Sequence, residues 1–197
     1  TLLKYERERH DSVNELAEYH VKIPSISSSA NTNFYCYHRK PDTSDGEDPT
    51  NVWDSNFVGV WHLGEDVNTE ADGYADSTTN GNHGTGNSMS LTSPEAVIGR
   101  VQEFDGNEDQ INVLDSSSLD ISSNITLESW IQLDSISNIN FVDKSYDGEV
   151  LDAFRFAIKP DGDIVAVYAS PEEPRKGAYA MLEAAVEAGG RKLDAFD

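Results

Sequence analysis

Apolar residues come along this chain in short bursts separated by long polar stretches. Val58-Gly59-Val60-Trp61-His62-Leu63 is the most compact burst and predicts a buried strand. Ile125-Thr126-Leu127-Glu128-Ser129-Trp130-Ile131-Gln132-Leu133 alternates strictly. Ile125, Leu127, Ile131 and Leu133 share one face of a strand, and Thr126, Glu128, Trp130 and Gln132 the other. Gln110-Ile111-Asn112-Val113, Phe141-Val142, Phe154-Arg155-Phe156-Ala157-Ile158 and Ile164-Val165-Ala166-Val167-Tyr168 predict further strands. The turn Pro160-Asp161-Gly162-Asp163 would fold the last two into a hairpin. Val21-Lys22-Ile23-Pro24 and Asn33-Phe34-Tyr35-Cys36-Tyr37 predict two short strands around a serine turn, whereas residues 1–20 are charged with weak periodicity. Only near the end does the period change. Ala178, Met181, Leu182, Ala185 and Val186 fall at helical spacing, and Gly189-Gly190 reads as the helix stop.

This pattern predicts a mainly β chain, an antiparallel jelly roll or β-sandwich with a short C-terminal β-β-α segment. The apolar-poor stretch Pro41–Pro49 marks one boundary, and the change of period marks another. The expected segments are 1–52, 53–152 and 153–197. The first and last read as parts of neighbouring domains in a longer chain. The incomplete last unit exposes a strand edge, which a homo-oligomer would cover.

Charge narrows the function classes. Thirty-six acidic residues against 14 Lys and Arg give a net charge of −22. Such a surface repels nucleic-acid phosphates and anionic lipid, and suits cation binding or plain solubility. No apolar run is long enough to cross a membrane, so no insertion is expected. The single cysteine, Cys36, excludes an internal disulfide framework.

Motifs in sequence order carry a resemblance. Phe57-Val58-Gly59-Val60-Trp61-His62-Leu63-Gly64-Glu65, Asp76-Ser77-Thr78-Thr79-Asn80-Gly81-Asn82-His83-Gly84-Thr85, Ile98-Gly99-Arg100, Phe104-Asp105-Gly106, Ser118-Leu119-Asp120 and Ile125–Ile131 resemble LamG-like (concanavalin A-like) jelly rolls of bacterial surface proteins. His20–Pro24 and Asn33–Tyr37 resemble the end of the DUF2341 domain that often precedes that module. Residues 161–197 resemble part of a phage-associated GNAT-like domain, without its pyrophosphate loop. The resemblance implies an extracellular, cell-surface or virion-associated binding or adhesion module that recognises a glycan or surface ligand. The alternatives are a structural spacer or assembly unit of a fibre or phage tail and, less favoured, a glycosidase or acetyltransferase fragment.

Candidate chemistry centres on residues 76–85. Asp76, Asn80 and Asn82, joined by Asp105, offer the oxygen ligands a structural Ca²⁺ takes, but the same residues are ordinary turn formers. For ligand binding the candidates are Trp53, near the linker, and His83, in the polar loop. Trp61 and Trp130 read as packing residues and His62 as a framework residue. The chain shows no G-x-S-x-G, H-E-x-x-H, C-x-x-C or P-loop, and Glu128 lacks a paired carboxylate on its strand. Binding rather than catalysis is therefore expected.

Overall fold

A computed structural model describes residues 2–38, 45–66, 69–89, 91–93, 96–121, 124–133, 135, 139–144, 154–159, 164–168 and 178–180. Two compact units divide the chain, Thr1–Leu119 and Asp120–Asp197. Among the described residues there is no α-helix. Among these residues every ladder is antiparallel, and the helical turns are short 3-10 turns at Pro49–Asn51 and Ser117–Leu119. The chain is thus mainly β, as its alternation predicts.

The first unit opens with a hairpin, β1 (Tyr5–Asp11) and β2 (Leu16–Val21). Asp11 organises its turn: Oδ1 accepts the N–H groups of Val13 and Asn14 at 2.8 and 3.0 Å. Pairing steps from Arg7 opposite Tyr19 to Arg9 opposite Glu18, so Glu8 is an extra residue on β1. A bulge of this kind re-aims the side chains around it. Farther along come β3 (Gly84–Asn87), β4 (Leu91–Ser93), β5 (Val101–Glu103) and β6 (Gln110–Val113). β3 pairs with β6, and β4 with β5. A Cβ on Gly84 would lie 2.5 Å from Ile111 Cγ2 and 3.4 Å from Tyr74 Cβ, so glycine is what lets these segments close. Tyr74 and Gly84 exchange two backbone hydrogen bonds.

Tyr74 is fully buried (0% exposed) and donates its hydroxyl to Gln102 Oε1 at 3.1 Å. Among the described residues of the unit, Val52, Met89 and Leu119 are the other buried apolar side chains, against six buried polar ones: Glu6, Asp76, Ser77, Thr78, Asn82 and Gln102. Hydrogen bonding therefore organises this interior as much as apolar burial does, because each buried polar group needs a partner.

Among its described residues, the second unit holds a four-stranded sheet of β7 (Ile139–Lys144), β8 (Phe154–Ile158), β9 (Ile164–Tyr168) and β10 (Ala178–Ala180), in that spatial order. Ile158 faces Ile164 across the ladder, so β8 and β9 form the expected antiparallel pair. Its turn, 160–163, lies outside the described residues. Phe154, Ala157 and Ile158 are buried, and the Phe141 and Phe156 rings sit 5.6 Å apart.

Several expected elements differ. The burst 58–63 makes no continuous strand: only Trp61 pairs, singly with Asp76, and Leu63 has φ 58°. That positive φ turns the chain away from an extended path. Residues 33–37 form no ladder, and Phe34, Tyr35 and Tyr37 are exposed. Among residues 124–133 the alternation survives as half-buried Ile125 and Leu127 between exposed neighbours, but without a ladder. Ile131 and Phe104, whose apolar character predicts burial with Trp61 and Leu127, are exposed, and Trp130, expected to pack, is 70% exposed. At the C-terminus, Ala178, the first residue of the expected helix, pairs with Tyr168 as β10. The open edge of β9 there supplies backbone partners that outweigh the weak helix preference of a short segment. The rest of that helix, 181–188, lies outside the described residues.

Candidate functional site

The loop 76–85 is held by one carboxylate. Asp76 Oδ1 accepts the N–H groups of Val60 and Thr78, each at 2.9 Å. Its Oδ2 accepts the Thr78 hydroxyl at 2.8 Å and the Asn82 N–H at 2.9 Å. The Asn82 amide donates to Val58 O at 2.7 Å, and Asn80 Nδ2 reaches the carbonyls of Phe57 and Val58 at 3.3 and 3.2 Å. His83 Nδ1 accepts the Asp76 N–H at 2.9 Å, and Trp61 Nε1 donates to Asn82 O at 2.8 Å. The run D-S-T-T-N-G-N thus ties the 57–61 segment to its own loop. Asp76, Asn80 and Asn82 are brought together. Asp105 is exposed in a separate turn, where the backbone N–H of Asn107 holds its carboxyl below the usual range.

A second cluster lies on the β1–β2 hairpin. His20 stands opposite Glu6 in the ladder, and the bulge places Glu8 beside it. Glu8 Oε2 lies 3.2 Å from His20 Nε2 and 2.6 Å from His62 Nδ1. His62 Nε2 lies 3.1 Å from Glu6 Oε2, close enough for an ion pair but not aligned as a hydrogen bond. Glu6 is fixed from two further sides. It accepts the Trp53 indole N–H at 2.8 Å and the Ser77 hydroxyl. The Trp53 ring sits 5.3 Å from His20, 6.0 Å from His62 and 5.1 Å from Phe57. Gly99, at φ 64°, closes over Glu8, where a Cβ would overlap the carboxylate.

Electrostatics couple this cluster. Burial works against charge on His62, but Glu6 and Glu8 outweigh it and raise the ring's pKa from 6.5 to about 10. Burial likewise raises Glu6, and the contacts with His62, Ser77 and Trp53 more than reverse it, leaving its carboxyl below the usual range. Glu8, His20 and His62 each offer one ligand atom, and these atoms lie within 4.8 Å of one another.

Of the two expected ligand-binding residues, Trp53 is half-buried with its N–H spent on Glu6, and His83 is half-buried with Nδ1 spent on the loop. The cluster Glu6, Glu8, His20 and His62 was not among the candidates read from sequence. One signal was present: Glu6-Arg7-Glu8-Arg9 alternates acid and base at the strand period, placing two carboxylates together.

No protein-family model and no curated protein matches the chain. Among solved structures, the chain is similar to a 2.1 Å crystal structure of residues 221–444 of an S-layer domain-containing protein from Clostridium thermocellum. The TM-score is 0.51 at 19% identity, over 68% of this chain and 60% of that fragment. The chain therefore spans less than two thirds of that structure, and the likeness is one of fold.

Proposed function

We propose that the chain is an extracellular binding or adhesion module of a longer cell-surface protein, recognising a glycan or another surface ligand and catalysing no reaction. The observation that carries this reading is the fold it has in common with the S-layer domain-containing fragment. The net charge of −22 supports it, since such a surface disfavours nucleic acid and anionic lipid as partners. Trp53 is turned inward, so the aromatic surface offered to a sugar is Phe34, Tyr35 and Tyr37, the last 93% exposed. Aromatic rings present an apolar face to a sugar ring while a tyrosine hydroxyl stays wet.

Calcium belongs to this proposal only as loop support. The four donors on Asp76 must move before its carboxylate can ligate an ion, which predicts weak affinity, on the order of millimolar. A glycan array probed with the 197-residue chain, with calcium and after chelation, tests the reading. Binding to one glycan class, lost in a Tyr35→Ala/Tyr37→Ala variant, is expected. An array blank under both conditions, with self-association in solution, would favour an assembly unit without sugar recognition.

A further inference from the structure

We propose that Glu8, His20 and His62 form a binding site for a divalent transition metal, zinc above all, with Glu6 as the carboxylate that orients His62. Two imidazole nitrogens and one carboxylate oxygen are the donor set that zinc takes in three-ligand sites, with water completing the shell. Calcium and magnesium, which prefer all-oxygen shells, are disfavoured here.

The spacing suits an ion. Around tetrahedral zinc, ligand atoms stand about 3.3 Å apart, given metal–ligand bonds of about 2.0–2.1 Å. Glu8 Oε2 is already 3.2 Å from His20 Nε2 and 2.6 Å from His62 Nδ1. For these two pairs the adjustment is less than about 1 Å, while all the ligand atoms lie within 4.8 Å of one another, and the proton between His62 and Glu8 leaves as the ion enters. The other nitrogen of His62 faces Glu6 Oε2 at 3.1 Å. A small rotation of the ring that aligned this contact as a hydrogen bond would make it the carboxylate–histidine–metal relay that sets ring orientation and raises ligand basicity. Glu6 can serve in that way because Trp53 and Ser77 hold it in place.

The surroundings support the site. The Glu8 side chain is 4% exposed and those of His20 and His62 are 29% and 21%, so the carboxylate is enclosed while the two rings stay partly accessible to solvent. The ligands come from β1, β2 and the 58–63 segment, so an ion joins the hairpin to a part of the chain about forty residues away. Because the unfolded chain has no such constellation, binding favours the folded state.

Zinc calorimetry on the 197-residue chain, freed of any purification tag and stripped with chelator, tests the proposal. One saturable equivalent is expected, and zinc at about 100-fold excess over its Kd should raise the Tm by roughly 5–10 °C. His20→Gln and Glu8→Gln should each weaken binding at least about tenfold, and Glu6→Gln by about 10–100-fold. His10→Gln/His38→Gln, which alters exposed histidines outside the cluster, should bind as wild type. Circular dichroism establishes that each variant folds. If a cluster variant does not, Co²⁺ absorption of the wild-type chain replaces it, with a ligand-field band of a low-coordinate nitrogen–oxygen site expected. No saturable zinc binding up to about 1 mM, binding unchanged in folded His20→Gln, or a hexaaqua-like Co²⁺ spectrum would overturn the proposal.

Discussion

Replacing Asp76 by alanine separates two readings of the loop at 76–85. Its carboxylate accepts four hydrogen bonds at 2.8–2.9 Å, from Val60, Thr78 (twice) and Asn82. Asp76, Thr78 and Asn82 are themselves buried. Hydrogen bonds to a charged acceptor contribute about 1.5–3 kcal/mol each, and an orphaned buried donor costs about 1–3 kcal/mol. The Thr78 hydroxyl can rotate to a new partner, while three N–H groups cannot. Water entering the vacated space recovers part of the loss. Asp76→Ala should therefore destabilise the first unit by about 3–5 kcal/mol, and Asp76→Asn, which keeps one acceptor oxygen, by about half as much. Urea unfolding in chelator, followed by tryptophan fluorescence, reads this out, because Trp61 pairs with Asp76 and donates to Asn82 O. A loss below about 1 kcal/mol in chelator, with a deficit appearing only when calcium is added, would refute the hydrogen-bond reading. It would make Asp76 an ion ligand instead.

Two further outcomes are expected. Tyr74→Phe should cost about 1 kcal/mol through the lost bond to Gln102, and Tyr74→Ala about 3–5 kcal/mol through the cavity, both measured by urea unfolding. In the metal-free chain, His62 has its pKa raised from 6.5 to about 10, so its contribution is fully present below about pH 6.5 and lost as pH rises through 10. A shift of that size is worth about 5 kcal/mol unscreened, and solvent at the partly open ring reduces it to about 2 kcal/mol. Glu6 is shifted downward, so its contribution is present above the usual carboxylate range and lost as pH falls below it. Unfolding free energies at pH 6 and pH 10, compared with those of His62→Gln, check the sign: the variant should lose less stability between the two.

The fold class was legible because β6 and β8 carry polar–apolar alternation and β9 is a short continuous apolar run. The hairpin β1–β2 was not, since Glu6 and Glu8 occupy the inward positions where apolar residues are normally sought. Trp130 shows the converse. Its segment alternates cleanly, but a strand forms only where another strand supplies hydrogen-bond partners, and sequence pattern does not name them. Asp76, Asn80 and Asn82 were legible as a unit because turn chemistry is local. His62 was not, because its partners lie 54 and 56 residues upstream on a strand hidden by its charge (62 − 8 and 62 − 6). Gly99 appeared only as part of a motif. Its purpose is visible once Glu8 is seen beneath it.

That Glu8, His20 and His62 share one ion is tested most directly by X-ray absorption at the zinc edge on the chain loaded with one equivalent. Roughly four light-atom ligands at about 2.0–2.1 Å, with the outer-shell scattering of two imidazole rings, are predicted. His20→Gln should remove one ring from that pattern. An all-oxygen shell without imidazole scattering, or a spectrum indifferent to His20→Gln, would contradict it.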